Sequence, residues 1–309
     1  MKTLQIILIV FFTANIAFAQ YPNKYIVLNN GETIECKKFK NTGNFLEVKT
    51  QDSKEPTSLR MTEVLGYFSE DDNVMYYKEK NLYKSKLSNQ YYDFYERVAE
   101  GDIKVYYYAT YVTDYSPNGT GISRTIAHLF AKKNDELIEV SKSINSQRNK
   151  KRYVNNLLGL IDDDPKLMFK VNDLGFKYSN ENVLSLIKDY NLSRYVPSIE
   201  NESTTSKLVF YRQSDKAKED LKVSFEDGNI LDMALNSVEN IELPTESLIK
   251  VCVSYQNNES CILIKPTHYF EKYYKVVSNK KGRLSILNRS KQKAKFDISN
   301  IKSTRKSSH

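Results

Sequence analysis

Several residue types are scarce in this chain of 309 residues, and each shortage excludes a class of protein. Tryptophan is absent, and 10 Gly and 7 Pro are too few for a collagen-like or proline-rich fibre. Three Cys exclude a scaffold held by many disulfides, and three His leave little material for a histidine-built metal centre. Because 40% of the residues are hydrophobic, the chain can bury a core, and its length suits about two domains.

Residues 1–19 have the pattern of a secretory signal peptide. Lys2 precedes an apolar run over 4–12, and Ala17-Phe18-Ala19 is an Ala-x-Ala cleavage site. The run is shorter than the roughly 20 residues that a membrane-spanning helix needs. No Cys stands at the cleavage point to accept a lipid. We therefore expect an exported mature chain, periplasmic or secreted, without a transmembrane segment.

Export places the cysteines in an oxidising compartment, where disulfides persist. Cys252 and Cys261 lie on apolar segments that flank Tyr255-Gln256-Asn257-Asn258. A four-residue loop there places the two Cys opposite each other and permits a disulfide, whereas a two-residue Asn-Asn turn shifts the register and forbids it. Both registers are open from the sequence. With the bridge formed, Cys36 is expected to be an unpaired, buried thiol.

Residues 20–192 are predicted to form a β-rich domain with a helical segment over 147–191. Frequent turn signals, such as Asn30-Gly31, separate short apolar runs up to residue 140 and favour an antiparallel sheet or a small barrel. Apolar residues then recur at helical spacing, and Asp164 and Ser179 stand where N-caps are expected. We expect three short helices that pack on the sheet.

A polar segment, 193–206, lacks periodicity and is predicted to be a linker. Beyond it, residues 207–309 contain about eight or nine apolar runs between turns, which predicts a β-sandwich whose last strand covers 296–301. The predicted fold class is therefore mainly β with a small α-helical segment: a sheet or barrel unit with three helices, followed by a sandwich.

Two segments carry a resemblance to known proteins. The opening stretch 25–34 resembles the start of uncharacterised exported β-rich proteins of Gram-negative bacteria, which also have a small helical segment. Leu208-Val209-Phe210-Tyr211-Arg212 is similar to the first strand of some uncharacterised β-sandwich domains. The resemblance implies a β-rich exported fold and supplies no catalytic residues.

Catalytic motifs are missing from the sequence. It has no Gly-x-Ser-x-Gly, P-loop, dinucleotide fingerprint or His-Glu-x-x-His. His128 lies in an alternating strand, where a packed side chain is the expected role. The acidic runs 70–72 and 162–164 lack the alternating spacing of a calcium loop. We expect no catalytic residue, no metal site and no cofactor.

Tyrosine is unusually dense in one region, with 11 of the 23 Tyr in residues 76–115. One interpretation is a sheet that helices cover on one face, with the tyrosine hydroxyls at its rim. The other is an aromatic platform for a glycan or a partner chain, centred on Tyr107 and Tyr111. The first interpretation is favoured.

Positive charge is concentrated at the end of the chain. The formal net charge is +8, yet residues 275–309 hold 11 Lys and Arg against Asp297 alone. Such a field attracts phosphate-rich surfaces, although lysines on edge strands also prevent aggregation. Nucleic acid is not an expected partner, since no module that reads it is recognisable. The candidate binding residues in this segment are Lys280, Lys281, Arg283, Arg289, Lys291, Lys293 and Lys295.

The sequence thus favours an exported, non-enzymatic envelope protein that binds another protein or an anionic surface polymer. The alternative is a glycan-binding module or glycan-active enzyme that uses the tyrosine-rich segment 76–115.

Overall fold

A computed structural model shows a chain of mainly β structure. It describes residues 24–70, 72, 74–82, 91–115, 121–143, 147–173, 175–197, 205–213, 219–244, 247–266, 271–279 and 283–306. The predicted signal peptide, residues 1–19, lies outside these ranges. Within them, no helix has the length and apolar character needed to cross a membrane.

The first unit is an open eight-stranded sheet in which every neighbouring pair is antiparallel, so the barrel considered above does not form. The spatial order is β11-β10-β9-β8-β7-β6-β1-β2. The strands are β1 Lys24–Leu28, β2 Thr33–Cys36, β3 Lys38–Asn41, β4 Phe45–Lys49, β5 Thr57–Arg60, β6 Val64–Ser69, β7 Val74–Lys80, β8 Tyr92–Ala99, β9 Lys104–Tyr115, β10 Gly121–Lys133 and β11 Glu136–Lys142.

Strands β3, β4 and β5 form a separate small sheet that packs beside β1 and β6. Leu46 and Val48 of β4 meet Ile26 and Val64 in a compact apolar cluster. Cys36 is buried in the same cluster as a free thiol, and burial raises its pKa to about 11. A thiol with that pKa is almost wholly protonated at neutral pH, and it acts here as a small apolar side chain.

Three helices cover one face of the other end of the sheet: α1 Gln147–Leu160, α2 Pro165–Asn172 and α3 Asn180–Arg194. Leu157 and Ile187 pack on Val105 and Leu129 of the sheet. Both predicted N-caps are confirmed. Asp164 Oδ1 accepts a hydrogen bond from the backbone N of Leu167 at 3.1 Å, and Ser179 Oγ accepts one from Asn182 N at 3.3 Å.

The opposite face of the sheet carries the buried aromatic cluster of Tyr95, Tyr106 and Phe130. The Tyr106 hydroxyl donates to Glu79 Oε1 at 2.7 Å, and the Tyr108 hydroxyl donates to Asp93 Oδ2 at 2.8 Å. These rings fill space while their hydroxyls reach carboxylates at the edge of the cluster, which is the usual compromise for a buried tyrosine.

The second unit is a sandwich of two four-stranded sheets, ordered β15-β12-β18-β19 and β14-β13-β16-β17. Phe210, Val223, Val251 and Val276 lie in the core between them. The β-sandwich prediction is confirmed. Its strands are β12 Thr205–Arg212, β13 Leu221–Phe225, β14 Ile230–Met233, β15 Ser237–Pro244, β16 Ile249–Tyr255, β17 Asn258–Ile264, β18 Lys272–Ser278 and β19 Leu284–Arg289.

A disulfide joins Cys252 of β16 to Cys261 of β17. The two residues are direct partners in the register, which continues to the pair Tyr255 and Asn258. The turn therefore consists of Gln256 and Asn257, and Gln256 has a positive φ of 53°. This is the register of the four-residue loop considered above, with one more strand pair formed, and it excludes the Asn-Asn turn.

The predicted strand at 296–301 is wrong, because that segment lies within a helix, α4 Lys291–Lys306. Ala294, Ile298 and Ile301 recur at helical spacing and pack on Val209 and Tyr273 on the outer face of the sandwich. The alternation of Phe296 and Ile298 suggested a strand, but Phe296 is 67% exposed and contributes nothing to that interface.

Candidate functional site: the basic face of the C-terminal helix

The inner side of α4 fixes the helix to the sandwich by packing and by one buried ion pair. Asp297 Oδ2 accepts hydrogen bonds from the Tyr211 hydroxyl and from Lys275 Nζ, each at 3.0 Å. Asp297 is only 8% exposed. The one acidic residue of the segment 275–309 therefore points into the protein, and its charge does not offset the lysines on the outer side.

The outer side of α4 combines positive charge with an exposed aromatic ring. Lys293 and Lys295 are both exposed, and Phe296 lies beside them with 67% of its surface open to solvent. Residues 293 and 296 are three apart, a spacing that puts side chains next to each other on a helix. An exposed aromatic ring beside cations on a helix is an arrangement that also occurs in helices that contact anionic lipid.

Two of the predicted binding residues have structural partners instead. Lys291 Nζ forms an ion pair with Glu70 of the first unit. The Arg289 guanidinium hydrogen bonds to the Tyr211 hydroxyl. These contacts fix the start of α4 and the end of β19, so neither side chain is available to a ligand without breaking a contact.

The pKa of Lys291 is lowered by burial first and by neighbouring positive charge second. Burial lowers this pKa below its ordinary value, and the like charge of Lys295 lowers it further. Lys295 also lies near the Glu271 carboxyl. Burial alone would raise the pKa of Glu271, but the hydrogen bond from Tyr273 and the charges of Lys207 and Lys295 hold it below its ordinary value.

The other basic candidates do not join this surface in the described structure. Arg283 is exposed immediately before β19, where its backbone forms hydrogen bonds with Asn279. The six residues of β19 place it about 20 Å from the start of α4. Lys280 and Lys281 lie outside the described residues. We define the basic face as Lys293, Lys295 and Phe296.

The two tyrosines of the aromatic-platform interpretation have different environments. Tyr107 is half-buried and packs with the core beneath the helices, whereas Tyr111 is 81% exposed further along β9. Tyr107 thus has a packing role, and the register partner of Tyr111 is Thr125 of β10, which carries no ring.

His128 is 1% exposed and lies between two partners. Its Nδ1 is 2.8 Å from Glu139 Oε1, and its Nε2 is 3.0 Å from Thr110 Oγ1. A hydroxyl, an imidazole and a carboxylate in this order also occur in hydrolase triads. Here Glu139 is bonded onward to Arg152 of α1 at 3.0 Å, so the chain of contacts ties β9, β10 and β11 to a helix.

One group of metal-ligand atoms occurs in the described part of the chain: Cys252, Glu259 and Cys261. The disulfide uses both sulfur atoms, and a thiolate is the form of Cys that binds metals. This group is therefore a disulfide with a neighbouring carboxylate and cannot serve as a metal site in the oxidised protein.

Comparison of the chain with known protein families, curated proteins and solved structures gives no match.

Sequence reasoning found the lysines of α4 but missed Phe296, because a strand was expected there. The helical spacing of Ala294, Ile298 and Ile301 is the signal that could have placed Phe296 on the outer side.

Proposed function

We propose that this chain is an exported, non-enzymatic envelope protein whose basic face binds the phosphate-bearing lipid surface of the envelope. The observation that carries the proposal is Phe296, exposed beside Lys293 and Lys295 on a helix whose other side is fixed to the sandwich. Each lysine near an anionic membrane surface contributes about 1 kcal/mol. Insertion of the ring adds a hydrophobic contribution that salt does not screen.

Two further features support export. The sequence begins with a signal-peptide pattern over residues 1–19. The disulfide between Cys252 and Cys261 is of the kind that persists in oxidising compartments. Both features agree with an envelope location for the mature chain.

The test is cosedimentation of the mature chain, beginning at Gln20, with lipid vesicles. One vesicle type contains phosphatidylglycerol and phosphatidylcholine, and the other contains phosphatidylcholine alone; each is titrated with salt. We expect binding to the anionic vesicles that weakens as salt rises. The double variant Lys293→Glu/Lys295→Glu is expected to lose most of this binding, by about tenfold or more.

The matched control is Lys38→Glu/Lys40→Glu, which makes the same charge change at two exposed positions of β3 with the same spacing. This control should retain at least half of the binding. Phe296→Ser should weaken binding at high salt as well as at low salt, because it removes the unscreened contribution. Equal losses in the two double variants, or equal binding to both vesicle types, would contradict the proposal. Retention on polysaccharide alone would assign the surface to a polymer instead.

A further inference from the structure

A cavity of about 160 Å³ lies where the first unit meets the sandwich. Its walls come from β8 and α3 on one side and from β17, β18 and β19 on the other. The volume is well above the about 15 Å³ that a single water needs, but it is too small for a polymer. The charged residues of its lining, together with one tyrosine, are Arg97, Glu100, Lys188, Lys265, Lys272 and Tyr274.

The charges around the cavity are strongly unbalanced. Four cationic side chains line it against one carboxylate, Glu100, and that carboxylate already forms an ion pair with Arg97 at 3.1 Å. Lys272 Nζ donates to the Lys265 carbonyl at 2.9 Å, so Lys188 is the lysine of the lining whose charge matters most in this partly enclosed space, where electrostatic interactions are stronger than in water. An anion in the cavity would lower the electrostatic free energy of these cations.

Lys188 of α3 is the clearest case, since its ammonium has no ion-pair or hydrogen-bond partner within the described ranges. The side chain is half-buried, and burial lowers its pKa below the ordinary value. A buried cation is normally paired, because desolvating it without a counter-charge costs free energy. The three N–H groups of the Lys188 ammonium therefore donate to no other group of the described structure.

Two more residues of the lining contribute polar groups. Arg97 Nε is buried without a hydrogen-bond partner among the described residues, but it has no accessible surface through which to reach a ligand, and the same guanidinium contacts Glu100 and lies 3.4 Å over the Tyr77 ring. The Tyr274 hydroxyl has no acceptor in the described part of the chain either, and Tyr274 is only 4% exposed. A hydroxyl without an acceptor on a cavity wall can donate to a ligand that accepts hydrogen bonds.

The backbone around Lys188 is held rigidly, so the cavity wall is preformed. Asn191, one helical turn further along α3, accepts from Ile103 N at 3.0 Å and donates to the Glu100 carbonyl at 2.8 Å. Gly101 has a φ of +131°, and a Cβ there would lie 2.5 Å from the Asn191 side chain. Because a side chain at position 101 would collide with Asn191, only glycine allows α3 to lie this close to the end of β8.

We propose that this cavity is a binding site for a small oxyanion, either phosphate or a carboxylate group, held by Lys188 and Tyr274. The ligand accepts hydrogen bonds from these two side chains, while Arg97 adds positive potential from the first unit and Lys265 and Lys272 add it from the sandwich. Because the walls belong to both units, a bound anion also strengthens the contact between them. The site is separate from the basic face of α4.

The test measures binding of inorganic phosphate and of succinate to the mature chain by isothermal titration calorimetry, with thermal stability as a second readout. One arm uses phosphate and the other the dicarboxylate, so the result also identifies the preferred oxyanion. We expect saturable binding of at least one. Lys188→Gln should weaken it about tenfold, the usual effect of losing one charged hydrogen bond, while Lys188→Arg should retain most of it.

The matched control is Lys166→Gln, an exposed position of α2 that carries the same change outside the cavity. It should bind as the original chain does, and so should Lys293→Glu/Lys295→Glu, which separates this site from the lipid surface. The proposal is wrong if neither anion binds, or if Lys188→Gln and Lys166→Gln bind equally well. Should Lys188→Gln fail to fold, Lys188→Arg and Tyr274→Phe decide the outcome, since Tyr274→Phe should also weaken binding.

Discussion

Lys188 illustrates how one unpaired charge affects stability. Its ammonium is partly desolvated and has no counter-charge in the described structure, so removing the charge should stabilise the ligand-free protein. We predict that Lys188→Met raises the free energy of unfolding by up to about 1 kcal/mol at pH 7. Lys166→Met, at an exposed position, should change it by less than about 0.5 kcal/mol.

The pH dependence of this effect has a definite sign. Burial lowers the pKa of Lys188 in the folded state, so the unfolded chain holds its proton to higher pH than the folded chain does. The original protein therefore gains stability from this group as pH rises through the window between the lowered pKa and the ordinary lysine value. Urea unfolding at pH 7 and pH 10 measures this. The advantage of Lys188→Met should shrink at pH 10, and an unchanged or growing advantage would refute the assignment.

At the scale of elements, α2 depends on its N-cap. Asp164 Oδ1 is bonded to Leu167 N, and Pro165 follows at the first helical position. Since an N-cap side chain satisfies a backbone N–H that the helix leaves unpaired, Asp164→Ala should lower the free energy of unfolding by about 1 kcal/mol. The control is Asp162→Ala, an exposed acidic residue in the same loop.

Chemical unfolding of the two variants provides the comparison. A loss for Asp164→Ala at least twice that for Asp162→Ala is expected. Equal losses would mean that the loop senses only the missing negative charge, because both variants remove one carboxylate.

The sequence predicted elements well where one periodicity dominated and poorly where two competed. The helical faces of α1 and α3 and most hairpins follow directly from spacing and turn residues. Strand β8 was missed because Glu96 and Arg97 interrupt its apolar pattern, and the structure buries Arg97 through its pair with Glu100 and its contact with Tyr77. Helix α4 was assigned as a strand because Phe296 and Ile298 alternate.

At the scale of the whole molecule, the cavity could not be predicted at all. Its lining joins residues near 97, 188, 265 and 274, which come together only when α3 meets the sandwich. No local pattern encodes such a site, because each lysine in isolation has the sequence context of a solvated surface residue. The basic segment at the end of the chain could be predicted because its charges are close in sequence.

The disulfide stabilises the sandwich relative to the rest of the chain. It joins residues of β16 and β17 with a sequence separation of 9. A disulfide that closes a loop of that size raises the free energy of unfolding by about 2.5 kcal/mol. The bond lies in the sandwich, whereas the buried thiol Cys36 lies in the first unit. A reductant should therefore lower the melting temperature of the sandwich and leave the first unit nearly unchanged.

Calorimetry with and without reductant measures this on three chains. The original protein and Cys36→Ser should both melt at a lower temperature when reduced, because each retains the bridge. Cys252→Ser/Cys261→Ser should melt at the lower temperature in either condition, since it has no bridge to lose. If the double variant still responds to reductant, the sensitivity comes from elsewhere in the chain. If the original protein does not respond, the bridge adds nothing to a hairpin that the register of β16 and β17 already holds.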